Sequence, residues 1–157
     1  MRLSPLRMAM VAGAMVLSPL LWAQQTPNFT GTWQLDPAKS QANVRDEAVT
    51  LTIQDNSPSI QFKRVARQGG GHESVSTFTC QTGGKECDFD ENGHKAKVSL
   101  WYDGPALVIL KTDGPKEDAV TQWRLELSPD GKTLNVVLTH IDPSENEEKL
   151  VFDKETS

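Results

Sequence analysis

The chain has 157 residues, and its 21 Asp and Glu outweigh 16 Lys and Arg to give a formal net charge of −5. That length suits one domain with a real core, and an acidic chain without a basic stripe sets nucleic acid aside as a partner. Two cysteines and three histidines, none in a His-x-His or Cys-x-x-Cys pattern, leave no metal or cofactor motif.

Residues 1–23 read as a secretory signal peptide. Arg2 and Arg7 precede an apolar run from Met8 to Leu21, and Ala23 is a small residue before a cleavage point at Gln24. The run is short for a bilayer span, and no later stretch is long and apolar enough for one. The expected product is a domain of residues 24–157, periplasmic or secreted, without stable membrane insertion once the leader is cut. An uncleaved anchor is the competing reading. Loss of Arg2 and Arg7 leaves 14 basic against 21 acidic side chains.

From there on the periodicity is two. Phe29, Trp33 and Leu35 share a face opposite Thr30, Thr32 and Gln34. An Asp36-Pro37-Ala38-Lys39 turn follows, with Asp36 as cap. Val49, Leu51 and Ile53 alternate with Thr50 and Thr52, and Trp123, Leu125 and Leu127 alternate with Gln122, Arg124 and Glu126. Alternation of this kind means strands with one buried face. The expected strands are 29–35, 48–54, 58–66, 73–81, 85–91, 94–102, 106–112, 119–127, 133–141 and 148–154, with little or no helix after the leader.

Turn dipeptides set the register. A central Gly83-Gly84 places Cys80 opposite Cys87 and Phe78 opposite Phe89. A central Asn92-Gly93 opposes Asp88 to Lys97, Asp90 to Lys95, and Cys87 to Val98. A central Asp103-Gly104 opposes Leu100 to Leu107 and Val98 to Ile109. Asp130-Gly131 opposes Leu127 to Leu134, Leu125 to Val136 and Trp123 to Leu138. The turns place the apolar side chains on one continuous face, with opposite charges meeting on the other at a few tenths to about 1 kcal/mol per pair. The expected fold is all-β: an antiparallel up-and-down meander of about 8–10 strands, closed into a barrel that hides its edges. A flattened two-sheet sandwich is the alternative.

Gly31-Thr32-Trp33 resembles the Gly-x-Trp signature of lipocalins. Gly31 to Ser40, Leu127-Ser128-Pro129-Asp130-Gly131-Lys132-Thr133-Leu134 and Val151-Phe152-Asp153-Lys154 together resemble a group of secreted bacterial lipocalin-like proteins. The resemblance implies a lipocalin-like barrel with Trp33 plugging one end. The chain departs from lipocalins in that Thr112-Asp113-Gly114 lacks an aromatic residue, and no arginine follows the last strands to stack on Trp33.

Cys80 and Cys87, opposed in a hairpin and routed to an oxidising compartment, are expected to form a disulfide. Asp88-Phe89-Asp90-Glu91-Asn92-Gly93 matches the first half of a calcium loop. Ser99 stands where that loop needs glutamate, and the flanks read as strands, so a charged hairpin is favoured. His72, His94 and His140 are scattered, and no Gly-x-Ser-x-Gly elbow or P-loop occurs. No catalytic residue is assigned, and the chain is not read as an enzyme.

Four polar residues continue an apolar face at a strand end. Arg64 follows Ile60 and Phe62, Tyr102 follows Val98 and Leu100, Lys111 follows Leu107 and Ile109, and His140 follows Leu134, Val136 and Leu138. They are the candidate ligand contacts at a barrel rim, against the alternative that each strand has left the core there. Trp33 and Trp123 are candidate structural residues. Two functions stay open. One is a barrel that binds a small apolar molecule. The other is a protein-interaction or inhibitor module whose lumen is filled by Trp33, Phe62, Trp123 and Phe152.

Overall fold

The computed structural model describes residues 26–41, 46–113, 119–142 and 145–156, without the side chains of residues 46, 47 and 113. The expected leader and its cleavage point lie outside these residues.

Ten strands follow one another: β1 (Gly31–Leu35), β2 (Asp46–Asn56), β3 (Ser59–Gln68), β4 (Glu73–Gln81), β5 (Cys87–Glu91), β6 (His94–Asp103), β7 (Ala106–Asp113), β8 (Val120–Leu127), β9 (Thr133–Asp142) and β10 (Asn146–Lys154). Each pairs antiparallel with its sequence neighbours, and β1 also pairs with β10, so the sheet closes into a barrel. That last ladder, with Trp33 opposite Lys154 and Leu35 opposite Phe152, excludes the open sandwich. No helix occurs among the described residues.

The period-two faces become the lumen and the outer wall. Phe29, Trp33, Leu51, Ile53, Ile60, Leu100, Leu107, Leu125, Leu134 and Phe152 are buried inside, each worth about 1.5–3 kcal/mol relative to exposure. On the outside, Lys95 pairs with Asp90 and Lys97 with Asp88, as the Asn92-Gly93 register requires. Those two carboxylates, which the calcium-loop pattern would use, are held below their ordinary pKa first by their hydrogen bonds to these lysines. Asp36 caps its turn by accepting from the N–H groups of Ala38 and Lys39 at 2.9 and 3.2 Å.

Two turns differ from expectation. The β6–β7 turn is centred on Gly104-Pro105, so Leu100 faces Ile109 and Val98 faces Lys111. A turn centred on Asp103-Gly104 would need an N–H from Pro105 to close it, and proline has none. Gly104 instead takes the positive φ of 59° required at the first central position of such a turn. The slip is two residues, so every side chain keeps its face.

The Gly83-Gly84 turn does not close as a two-residue hairpin. Its N–H groups donate to the Leu100 carbonyl at 3.1 and 2.9 Å, and that of Thr82 to the Pro58 carbonyl at 2.8 Å. Backbone donors here find partners on neighbouring strand ends, and the β4–β5 ladder stops at Phe78–Phe89. The alignment still holds: Cys80 and Cys87 are disulfide-bonded, with Cα atoms 5.7 Å apart.

Candidate functional site

Strand direction alternates around the barrel, so its two ends receive different residues. The base carries the β2–β3, β4–β5, β6–β7 and β8–β9 turns, and the mouth carries the other connections.

The base is sealed. Trp33 has no exposed surface, and its indole N–H donates to the Phe29 carbonyl at 3.1 Å. The Lys154 Nζ lies 5.2 Å from the ring centroid on the outside. Beside it, the buried Asp55 carboxylate accepts from Tyr102 Oη at 3.0 Å and from the N–H groups of Ser57 and Phe29 at 3.2 and 3.3 Å. Burial, and then the hydrogen bond to Asp55, push the Tyr102 hydroxyl well above its ordinary pKa. Tyr102 is therefore a neutral donor that ties the β6–β7 turn to the β2–β3 turn.

The mouth is polar among the described residues. On β3, β4 and β5, Arg64 stands opposite Ser76, and Ser76 opposite Glu91. On β7, β8 and β9, Lys111 stands opposite Thr121, and Thr121 opposite His140. These two arcs meet where Lys111 Nζ approaches Glu91 Oε2 at 3.6 Å, across β6, on which Ala96 and Val98 are buried and His94 stands opposite Glu91. Ser76 Oγ donates to Glu91 at 2.8 Å, and the Lys111 ammonium also sits 4.9 Å from the Phe89 ring centroid.

Below this ring lies a cavity of about 150 Å³. Its walls are largely aromatic. Phe62 stacks on Phe78 at 5.0 Å and meets Trp123 edge-on at 5.8 Å, while Phe89 lies 6.2 Å from Phe78. Val98, Ile109 and Leu138 complete it. An apolar chamber with a few convergent polar groups is the form that small-molecule sites take. A larger groove of about 460 Å³ on the outer wall is open to solvent and lined mainly by Thr, Gln and already paired Asp and Lys side chains.

Three of the four candidate contacts, Arg64, Lys111 and His140, therefore converge at one mouth. Tyr102 does not; it belongs to the opposite end. Arg64 has not left the core, because Ala66 beyond it on the same face is buried. Trp123 is half-buried and forms a cavity wall. Ser76, Glu91 and Thr121 were missed, although each continues an apolar face in the same way: Ser76 with Phe78, Glu91 with Phe89, and Thr121 with Trp123. Among the described residues, no group of three or more His, Cys, Asp or Glu side chains is placed to hold a metal ion.

The closed ten-strand up-and-down barrel has the fold seen in lipocalin-like and fatty-acid-binding barrels. The fold is similar to that of secretory abundant heat soluble protein 4 from Ramazzottius varieornatus, with a TM-score of 0.63 at 16% identity over 85% of this chain and 100% of that one. It is also similar to the fatty-acid-binding protein of Manduca sexta (0.57, 17% identity, 80% and 98% covered) and to apo lipid binding protein 8 of Caenorhabditis elegans (0.60, 10% identity, 81% and 95% covered). At such identities the likeness is one of fold. No family model matches the sequence, and no curated protein matches it.

Proposed function

We propose that this protein is an exported binding protein that takes a small, largely apolar molecule into the upper barrel, without chemistry. The observation that carries this reading is the aromatic cavity beneath the ring of Arg64, Ser76, Glu91, Lys111, Thr121 and His140. Two of the structures similar in fold are a fatty-acid-binding protein and a lipid binding protein, which supports the use of such a lumen for an apolar ligand. The leader pattern of residues 1–23 and the Cys80–Cys87 disulfide support export to an oxidising compartment, the periplasm or the outside of the cell.

The interaction-module reading draws on the lower lumen, which Trp33, Phe29 and Phe152 fill. Titration with fatty acids and fluorescent apolar probes separates the two. Binding with Kd below about 100 μM, near −5.5 kcal/mol, is expected for at least one of them. Failure of every probe at that level overturns the ligand reading in favour of the interaction module.

A further inference from the structure

Resting on the binding reading above, we infer that the chamber takes one planar aromatic ring in preference to an alkyl chain. The selection lies in its size, its floor and its walls.

About 150 Å³ is the volume of an apolar cavity that holds one benzene molecule. The floor beneath it is filled, because Trp33, Leu51, Leu100, Leu107, Leu125 and Phe152 are all fully buried in the lower barrel. A chain that enters cannot run on down the lumen and must fold back within the chamber. Folding back costs rotamer freedom, which a rigid ring does not have to lose.

The walls are aromatic on both sides. Ladder register sets Phe62 of β3 opposite Phe78 of β4, and Phe78 opposite Phe89 of β5. The Phe62 and Phe78 rings are nearly parallel, at 10°, with centroids 5.0 Å apart. Trp123, on β8, meets Phe62 at 81° and 5.8 Å. The lining thus already uses the two arrangements that aromatic pairs prefer, and a planar ring among these side chains adds further contacts of both kinds. A saturated chain gains only the area.

The mouth takes no part in this selection. Arg64 and Lys111 are both engaged by partners, and two carboxylates stand there, Glu91 and the half-buried Glu148 opposite Leu138. Uncharged ligands therefore read the chamber by itself.

The test is headspace partitioning of toluene, methylcyclohexane and heptane, three hydrocarbons of equal carbon number, into solutions of the protein. Each affinity is taken relative to the compound's partition into a liquid alkane, so that hydrophobicity cancels. Toluene is expected to be favoured about tenfold over the other two. Phe62→Leu, with its fold checked by circular dichroism, should cut that preference about threefold or more; Phe89→Leu is the second variant if the first does not fold. Heptane binding as well as toluene overturns the inference and leaves the apolar-ligand reading intact. Methylcyclohexane binding as well as toluene, or a preference that survives in the folded variant, shows that the aromatic walls do not select and likewise overturns it. Absence of binding by all three overturns the inference, and the apolar-ligand reading falls with it only if the fatty acids and fluorescent probes also fail.

Discussion

Lys154 stands directly opposite Trp33 in the β1–β10 ladder, with its ammonium 5.2 Å from the indole centroid. The strand pattern offered no arginine for this position, and the last residue of β10 supplies the cation instead. Gly31 makes the contact possible, because a Cβ there would come within 2.7 Å of Lys154 Cε. Gly31 also has a φ of 157°, which L side chains rarely adopt, so Gly31→Ala should displace Lys154 and add backbone strain, costing more than the about 0.5–1 kcal/mol of an exposed cation–π contact. Lys154→Met should cost about 0.5–1 kcal/mol, and the double variant no more than Gly31→Ala alone in urea unfolding. Full additivity would show that the two residues act separately.

Trp33 itself should matter far more. It is fully buried and hydrogen-bonded to the Phe29 carbonyl. Trp33→Ala is expected to cost about 3–5 kcal/mol. A loss below about 1 kcal/mol in the same unfolding measurement would show that the residue does not seal the base.

Tyr102 is the single tyrosine, so its ionisation is read directly from the tyrosinate band. Burial and the Asp55 hydrogen bond raise its pKa in the fold above the ordinary 10.0. The sign follows from linkage: the unfolded chain releases this proton first as pH rises. The stabilisation is fully present below pH 10.0 and is lost as pH climbs from there through the folded value. The native protein should keep the phenol protonated at a pH where urea-unfolded chain shows tyrosinate. Tyr102→Phe should cost about 1–3 kcal/mol at neutral pH, because Asp55 loses a donor, and should flatten the alkaline fall in stability.

Glu91→Gln tests the charge balance of the mouth. Ser76 keeps an acceptor, whereas the Lys111 ammonium loses the Glu91 carboxylate as a neighbour. Both side chains of that pair are partly exposed, so stability should change by no more than about 1 kcal/mol. Urea unfolding of both proteins measures the change. A loss above about 2 kcal/mol would mean that the Glu91 carboxylate holds the mouth together.

Processing and oxidation are checked by mass. The exported protein should begin near Gln24 and weigh two hydrogens less than its reduced form. Reduction of Cys80–Cys87, which closes a short loop with a sequence separation of 7, should cost about 2 kcal/mol. A full-length N-terminus or two freely alkylated thiols from native export would contradict the leader and disulfide readings.

Much of this was legible because a β-meander is encoded locally. Period-two alternation assigns each side chain a face, and Asn92-Gly93 and Asp130-Gly131 assign its partner, as the Asp88–Lys97 and Trp123–Leu138 pairings show. Even the error at Gly104-Pro105 was local, since the missing N–H of Pro105 is written in the chain. The misplacement of Tyr102 was also avoidable. It ends an even-numbered strand, β6, whereas Arg64, Lys111 and His140 lie in the later halves of the odd-numbered β3, β7 and β9, so an up-and-down barrel sends them to opposite ends.

Local signals in the chain were enough for the strand faces, most of the register, the opposition of Cys80 to Cys87, and the inward phase of Arg64, Lys111 and His140. The assembled barrel was needed to show that β1 closes on β10, that Lys154 caps Trp33, that Lys111 meets Glu91 across β6, and that a cavity of about 150 Å³ lies beneath the mouth. The physical reason is range. Alternation and turn chemistry act over a few residues, and they say which way a side chain points. What it meets on arrival depends on the closure and curvature of the whole barrel, and on how far Phe29, Trp33 and Phe152, brought from both ends of the described chain, fill the space between the walls.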